Sequence, residues 1–186
     1  MTPLDSPPSS DHNHNHNHNN DHDNDAARMR LWDMIKDIRF AMFTSRHANG
    51  HLHARPMTTQ NSKVDEDASL WFFMSRRGEP VADLALEPVV NVAYADPDAN
   101  RYVSISGTAS VVDDAGKKQQ LWNKAAAAWF PGGATDADLA LVQVRIVHAD
   151  YWHNDTSKMM QLLHMASAAV TGKAAPLGDK ARVVMG

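Results

Sequence analysis

Hydrophobic residues near the start of the chain recur at the spacing of a helix. Leu31, Met34, Ile35 and Ile38 fall three or four positions apart, and Asp25 stands ahead of them as a candidate N-cap. The pattern therefore predicts a short amphipathic helix at the beginning of a folded domain.

Short runs rich in β-branched and aromatic residues follow this helix and predict strands. Most are separated by brief turns, such as the Asn49-Gly50 pair that favours a hairpin. The predicted strands cover residues 39–45, 51–60, 69–75, 89–96, 101–114 and 139–152. Because strands outnumber helices and mostly follow one another closely, the pattern predicts a mainly β protein with α, built as a six-stranded antiparallel barrel with flanking helices.

Three more helices are predicted between and after the strands. The first covers 81–87 and stops before Pro88, because the residue before a proline disfavours the helical conformation. The second covers 113–130, until Pro131 and the Gly132-Gly133 pair end it. The third covers about 157–170 and ends at Gly172. These helices are expected to pack outside the barrel.

The first 25 residues differ in composition from the rest of the chain. Residues 7–25 read PPSSDHNHNHNHNNDHDND and offer no apolar side chain to bury. A disordered tail is therefore expected over 1–25, followed by one folded domain over 26–186. The histidines of the tail are candidate metal ligands, because neutral imidazole binds transition metals, but an inert tail is the favoured interpretation.

Charge and cysteine content exclude several classes of function. The formal net charge is -4, yet the five Asp residues of the first 27 positions leave 18 basic against 17 acidic residues in the remainder. A nearly neutral domain argues against a nucleic-acid partner. The absence of cysteine excludes disulfides and a thiol nucleophile. Without a long apolar run or a signal-peptide pattern, we expect a cytoplasmic protein with no membrane association.

A proline interrupts the second predicted strand, in the stretch HARPMTTQ at residues 53–60. Proline cannot donate a hydrogen bond to a neighbouring strand. Pro56 therefore predicts either an edge strand or a strand whose backbone faces something other than another strand.

Several motifs in a fixed order resemble one known family. They are LWDMIKDIRFAMFTS, ARPM, LWFFMS, VNVAYADP, YVSISGTA, AWFPGG and a YW pair. From about residue 28 onwards, the chain is similar to the general stress protein group of the pyridoxamine phosphate oxidase-like superfamily. Members of this superfamily are FMN-binding split barrels, so the resemblance implies FMN as the cofactor.

The resemblance assigns roles to the second strand. It implies that Pro56, Met57 and Thr58 run past the flavin and offer main-chain groups to the polar edge of the isoalloxazine ring. It also implies that Arg55 holds the FMN phosphate, for which a planar guanidinium is well suited. The alternative is that Arg55 is a surface charge on an edge strand.

The third strand supplies the next implied contacts. Phe73, Met74 and Ser75 fall where the family lines the ribityl chain and the phosphate. Two positions then depart from the family pattern, because Gly78 and Pro80 stand where relatives place a hydroxyl residue and a lysine.

Two arginines lie just before these departures. Arg76 and Arg77 either replace the missing lysine at the phosphate or form a solvated pair of charges. The sequence leaves both interpretations open.

Two tryptophans are candidate flavin contacts. By resemblance, Trp152 lies near the ring at the end of the last strand, and Trp129 approaches the flavin of a second subunit, which implies a homodimer. Trp32, Trp71 and Trp122 are expected to pack in the core.

The expected activity is that of an FMN-dependent oxidoreductase that takes electrons from a reduced nicotinamide and passes them to a small acceptor. No catalytic residue is assigned, because the flavin itself carries hydride chemistry. The histidines of the folded part lack metal-ligand spacing, so no metal site is expected there.

The alternatives are a flavin store, buffer or sensor without turnover and, less favoured, a heme- or deazaflavin-binding protein. The C-terminal KARVVMG lacks the Arg-Leu-x-Pro segment of true pyridoxamine phosphate oxidases, which argues against that substrate.

Overall fold

The structure is a computed structural model that describes residues 16–153 and 179–184, with side chains described from residue 24 to residue 153. The helix predicted over 157–170 lies outside the described residues. So do the first 15 residues of the chain.

The described part of the chain is mainly β with α. Its helices are α1 (His16–Ile35), α2 (Glu79–Leu86) and α3 (Ala115–Leu121). Its strands are β1 (Ala41–Arg46), β2 (Leu52–Met57), β3 (Ser69–Ser75), β4 (Val89–Asp96), β5 (Arg101–Val112), β6 (Leu139–His153) and β7 (Asp179–Val184). None of the helices in the described ranges is long and apolar enough to cross a membrane.

All strands belong to one antiparallel sheet in the order β2-β1-β4-β5-β6-β3, which confirms the six predicted strands. The long strand β6 pairs with β5 along most of its length. Its other edge is shared, because residues 139–145 pair with β3 and residues 148–153 pair with β7. The strand β7 was not predicted from the sequence.

A bulge in β6 interrupts its pairing with β5, because Val147 is an extra residue between the partners of Ser106 and Gly107, which are His148 and Ile146. The register between β5 and β6 shifts between Ser106 and Gly107. A Cβ atom at Gly107 would lie 2.5 Å from the carbonyl oxygen of Arg145, so only glycine allows this approach of the two strands. The sheet curls into a half-barrel, and the chain beyond β2 reaches β3 through an isolated bridge between Thr59 and Phe72.

The inner face of the curled sheet forms the main core. Buried and more exposed residues alternate along β4 and along the first part of β5, as expected for strands with one buried face. From α1, Leu31, Met34 and Ile35 cover one side of this core. The predicted amphipathic helix therefore packs as expected.

Strand β3 is buried on both faces. Phe72 and Met74 belong to the main core, whereas Trp71 and Phe73 pack on the opposite face in a second cluster that includes Phe130. The chain after α3 thus covers the outside of β3. Burial of Trp71 confirms its expected packing role, and Trp32 and Trp122 also pack against the two clusters.

The helix predicted over 113–130 is wrong beyond Leu121. The side-chain oxygen of Asn123 accepts hydrogen bonds from the backbone N–H groups of Ala125 and Ala126, at 3.0 and 3.1 Å. This local capping starts a separate short 3-10 turn, Ala126–Ala128, instead of continuing α3.

The first helix also differs from the prediction at both ends. It begins at His16, so the backbone of residues 16–25 is helical where a disordered tail was expected, and it ends at Ile35, before Ile38. Asp25 is not a cap, because it lies inside the helix and accepts a hydrogen bond from Arg28 one turn later.

Candidate functional site

A cavity of about 470 Å³ lies where the end of β2, the end of β3 and the chain after α3 meet. This volume is in the range typical of small-molecule sites. The lining residues are Arg39, Phe40, Pro56, Met57, Thr58, Gln60, Phe73, Met74, Ser75, Gly78, Pro80, Asn123, Ala125, Ala126, Trp129, Phe130 and Asp138.

The cavity brings together residues that the sequence assigned to one binding site from two separate strands. They are Pro56, Met57 and Thr58 at the end of β2 and Phe73, Met74 and Ser75 at the end of β3. Trp129, which the resemblance assigns to the flavin of a second subunit, lines the cavity of its own chain. Arg55, Arg76, Arg77 and Trp152 are not among the lining residues.

Pro56 lies on an edge strand, as its chemistry requires. Within 52–57, β2 pairs with β1 alone among the described strands, and Pro56 stands opposite Met42. The proline therefore removes no bond from a central ladder. Of the two alternatives for Pro56, the structure shows the edge strand.

A partly buried hydrogen bond holds the chain just after β2. The hydroxyl groups of Thr59 and Tyr94 lie 2.6 Å apart. Burial raises the pKa of Tyr94 far above its usual value, so its hydroxyl stays neutral. One residue later, the backbone N–H of Gln60 donates to the carbonyl oxygen of Trp71 at 2.8 Å. These contacts place Met57 and Thr58 beside β3.

At the end of β3, Ser75 is held by an aspartate that precedes β6. The Ser75 hydroxyl donates to Asp138 Oδ2 at 2.7 Å, and Arg77 Nε donates to Asp138 Oδ1 at 3.1 Å. The hydrogen bond from Ser75, followed by that from Arg77, lowers the pKa of Asp138 below its ordinary value. The cavity wall therefore carries a carboxylate, and Arg77 is its counter-ion.

The two arginines after β3 have different surroundings. The Arg77 side chain is 85% exposed and pairs with Asp138. The backbone N–H of Arg76 donates to the carbonyl oxygen of Asp138 at 2.6 Å, while the residue itself is exposed. Both belong to the turn that leads into α2.

Arg55 is part of a polar cluster beneath α2. Its guanidinium lies 3.7 Å from Asp83 Oδ2 and 3.4 Å from the Ser45 hydroxyl. Asp83 is 1% exposed and also accepts from Ser45 at 3.0 Å and from His47 Nδ1 at 2.7 Å. Although burial opposes ionisation, the hydrogen bonds from His47 and Ser45 lower the pKa of Asp83. Arg55 is therefore not a freely solvated charge, because its side chain is 19% exposed and is paired with Asp83.

The two candidate tryptophans occupy different parts of the molecule. Trp129 borders the cavity and is 82% exposed, an unusual environment for an indole. Trp152 lies on β6, opposite Tyr102 of β5 and Lys180 of β7. Within the described chain, the structure does not bring the two indoles into one site.

Several lining residues were not identified from the sequence. Asn123 donates to the Gln60 side chain at 2.7 Å and so joins the chain after α3 to the end of β2. Arg39 and Phe40 reach the cavity from the segment before β1. An asparagine before an alanine run is a weak signal of a cap. Arg39 reaches the cavity only because the sheet closes, so no pattern in the neighbouring sequence identifies it as a lining residue.

Comparisons with known proteins agree with this architecture. Residues 26–176 match the family described as "Pyridoxamine 5'-phosphate oxidase like". The structure of the general stress FMN/FAD binding protein from Xanthomonas citri superposes with a TM-score of 0.60 and 32% sequence identity, covering 72% of this chain and 92% of that one.

Two further relatives are more distant. Protein bli-3 from Neurospora crassa is 26% identical over 149 residues, which cover 74% of this chain and 69% of that protein. A heme binding protein from Mycobacterium smegmatis shares the fold, with a TM-score of 0.57 at 14% identity over 85% of this chain and 57% of the other. The family match extends over most of the chain, and the resemblance expected from the motifs is confirmed. The chain belongs to the pyridoxamine 5'-phosphate oxidase-like family.

Proposed function

We propose that this protein binds FMN in the cavity between the ends of β2 and β3 and acts as a flavin-dependent oxidoreductase. The observation that carries the proposal is the convergence of residues 56–58 and 73–75 on one cavity of about 470 Å³. The Xanthomonas citri relative, described as an FMN/FAD binding protein, supports the choice of ligand.

The lining suits a flat aromatic ring with one polar edge. Phe73, Met74, Phe130 and Trp129 provide apolar and aromatic surface. The end of the edge strand β2, from Pro56 to Thr58, provides main-chain groups, which are the groups that orient a ligand in a largely apolar pocket. These residues would bind and orient the isoalloxazine ring.

Arg55 is the proposed phosphate ligand, although in this structure its side chain faces Asp83. Its contacts of 3.7 Å with Asp83 and 3.4 Å with Ser45 are long for charge-assisted hydrogen bonds. A phosphate dianion would offer the guanidinium a shorter, bidentate partner. Arg77 is a weaker candidate because it is already paired with Asp138. Arg76 is the candidate that would replace the lysine of the relatives.

We propose further that the site is completed in a homodimer. Trp129 is 82% exposed at the cavity rim, and Trp152 lies outside the cavity lining. A two-fold arrangement of two chains would cover Trp129 and would allow Trp152 of one chain to approach the cavity of the other. One interface would therefore explain both the exposure of Trp129 and the position of Trp152 outside the cavity lining of its own chain.

Bound FMN would supply hydride transfer at its own N5 atom. Among the described residues, the charged side chains of the cavity lining are Arg39 and Asp138, and Asp138 is engaged by Ser75 and Arg77. The role of the chain is therefore to bind, orient and shield the ring. A reduced nicotinamide would bind transiently over the exposed face, since the sequence has no Gly-rich nucleotide-binding fingerprint. A flavin store or sensor without turnover is the competing function.

The absorbance spectrum of the purified protein, with and without added FMN, tests the ligand, because flavin and heme absorb differently. Mixing the FMN-loaded protein with NADH or NADPH in the absence of oxygen then tests turnover. The oxidoreductase proposal predicts loss of the flavin absorbance within seconds and its return when oxygen is admitted. A bound flavin that stays oxidised with both nucleotides would instead support the store or sensor.

A further inference from the structure

We propose that His47, His53 and Glu79 form a binding site for a divalent transition-metal ion of the Zn²⁺ type, with Asp83 orienting His47. The ligand atoms that these three residues offer all lie within 4.8 Å of one another. None of these three residues lines the cavity, but Gly78 and Pro80 on either side of Glu79 do, so the proposed metal site adjoins the proposed flavin site without depending on bound flavin.

The β1–β2 hairpin brings the two histidines to one face. His53 stands opposite Ser45 in the register of the two strands, and the backbone N–H of His47 donates to the carbonyl oxygen of His51. Because side chains two residues apart share a face, His47 and His53 become diagonal neighbours. Their rings are stacked, with centroids 4.8 Å apart and an interplanar angle of 13°, so one ring would rotate about its side-chain torsions for both in-plane lone pairs to meet at one ion.

Helix α2 provides the acidic residues. Glu79 lies in its first turn and Asp83 follows one turn later, so that both face the same hairpin surface. Asp83 is buried beneath the helix, whereas Glu79 is exposed. The site is therefore open to solvent on one side, which leaves a coordination position for water, as in zinc sites with three protein ligands.

Asp83 fixes the tautomer of His47. The distance between His47 Nδ1 and Asp83 Oδ1 is 2.7 Å, and a carboxylate can only accept, so the hydrogen is on Nδ1. The lone pair of the neutral ring is then on Nε2, the atom available to a metal. A carboxylate that holds the far nitrogen of a histidine is the usual outer partner of a histidine ligand.

The charge of the cluster favours a cation. Glu79 and Asp83 carry two negative charges and Arg55 carries one positive charge, which leaves one net negative charge when both imidazoles are neutral. Two imidazoles and one carboxylate are a donor set that suits Zn²⁺ and its neighbours in the first transition row.

The test is calorimetric titration of the full-length chain with ZnCl₂, in a background in which the tail histidines are replaced by alanine because they would bind metal themselves. These are His12, His14, His16, His18 and His22. We expect one Zn²⁺ per chain and, with Co²⁺, the visible absorbance of a tetrahedral site. Glu79→Gln and His53→Ala should each weaken Zn²⁺ at least about tenfold, and Asp83→Asn should weaken it about 10- to 100-fold.

Two exposed residues of the same types provide matched controls. His51→Ala removes an exposed histidine of the same hairpin, and Glu66→Gln removes an exposed glutamate of another loop, so neither should change the affinity. Glu79→Gln alters an exposed side chain and should leave the fold intact, which the melting temperature without metal would show. Absence of saturable Zn²⁺ binding in the tail-replaced chain, or equal weakening by Glu79→Gln and Glu66→Gln, would overturn the proposal.

Discussion

Thr59 and Phe72 form an antiparallel bridge that joins the end of β2 to β3. These two strands are the first and the last in the order of the sheet, so the bridge closes the curl across its open side. The residues on either side of it, 56–58 and 73–75, line the same cavity. The geometry of the proposed flavin site therefore depends on this closure.

The first prediction concerns the hydrogen bond that holds the closure in place. Thr59→Val removes the partner of the Tyr94 hydroxyl, which is 2.6 Å away on a residue that is 2% exposed. Leaving that buried hydroxyl unsatisfied should lower the free energy of unfolding by about 1 to 3 kcal/mol. Urea unfolding measures the change, and Thr108→Val on the exposed side of β5 is the control, expected within about 0.5 kcal/mol of the wild type.

A double variant sharpens this prediction. Combining Thr59→Val with Tyr94→Phe removes both polar groups, so the pair should be less destabilising than Thr59→Val alone. If the loss of unfolding free energy in the double variant equals the sum of the losses in the two single variants, the hydrogen bond between Thr59 and Tyr94 does not hold the end of β2.

The second prediction concerns Arg55. If Arg55 binds the FMN phosphate, Arg55→Ala should weaken FMN by about one to two decades, because a charge-assisted hydrogen bond contributes roughly 1.5 to 3 kcal/mol. Riboflavin, which has no phosphate, should bind the variant almost as it binds the wild type. Calorimetric titration with both ligands separates the two effects.

Arg77→Ala and Arg76→Ala complete this comparison. Arg77 is paired with Asp138, so its removal should leave FMN affinity nearly unchanged, whereas a loss at Arg76 would identify it as the replacement for the lysine of the relatives. Equal losses of FMN and riboflavin with Arg55→Ala would mean that Arg55 supports the fold through Asp83 instead.

The third prediction concerns pH and Asp138. Its pKa in the folded protein is below the ordinary value of 3.8, chiefly because Ser75 donates to the carboxylate. The charged carboxylate therefore stabilises the folded state above about pH 3.8, and this contribution disappears as the pH falls through the lowered pKa. The stability difference between the wild type and Asp138→Asn should be constant near neutral pH and should decrease below about pH 3.8.

Ser75→Ala provides the matched variant for Asp138. Without the hydroxyl, the pKa of Asp138 in the folded protein should return towards 3.8, so the stability lost below about pH 3.8 should be smaller than in the wild type. Urea unfolding across a pH series measures both variants. A pH dependence identical in Ser75→Ala and the wild type would show that Ser75 does not set the pKa of Asp138.

The fold could be predicted from the sequence where burial gives a strand a regular pattern of hydrophobic residues. Alternation marks β4 and β5, and the continuous apolar run of β3 marks a strand covered on both faces. The prediction failed at Asn123, where one side chain ends helical continuity, and at β7, whose short DKARVV sequence carries little pattern of its own.

The candidate site was predictable only where motifs are local. The segments 56–58 and 73–75 are continuous in sequence and were found by resemblance. Asn123, Arg39 and Asp138 come from distant segments that closure of the sheet brings together. The sequence did not predict His47 and His53 as metal ligands, because the register of the strands, and not their spacing in the sequence, places them side by side.

The most direct test of the central claim is calorimetric titration of FMN into the wild type and into Ala125→Trp. Ala125 lines the cavity and is exposed, so a tryptophan there should fill the space without disturbing the core. Ala127→Trp is the matched control, because it is an exposed alanine of the same segment outside the cavity lining. The account predicts saturable FMN binding to the wild type and to Ala127→Trp, with Ala125→Trp weaker by at least about tenfold. Equal FMN affinity in the two tryptophan variants, or no saturable binding to the wild type, would contradict it.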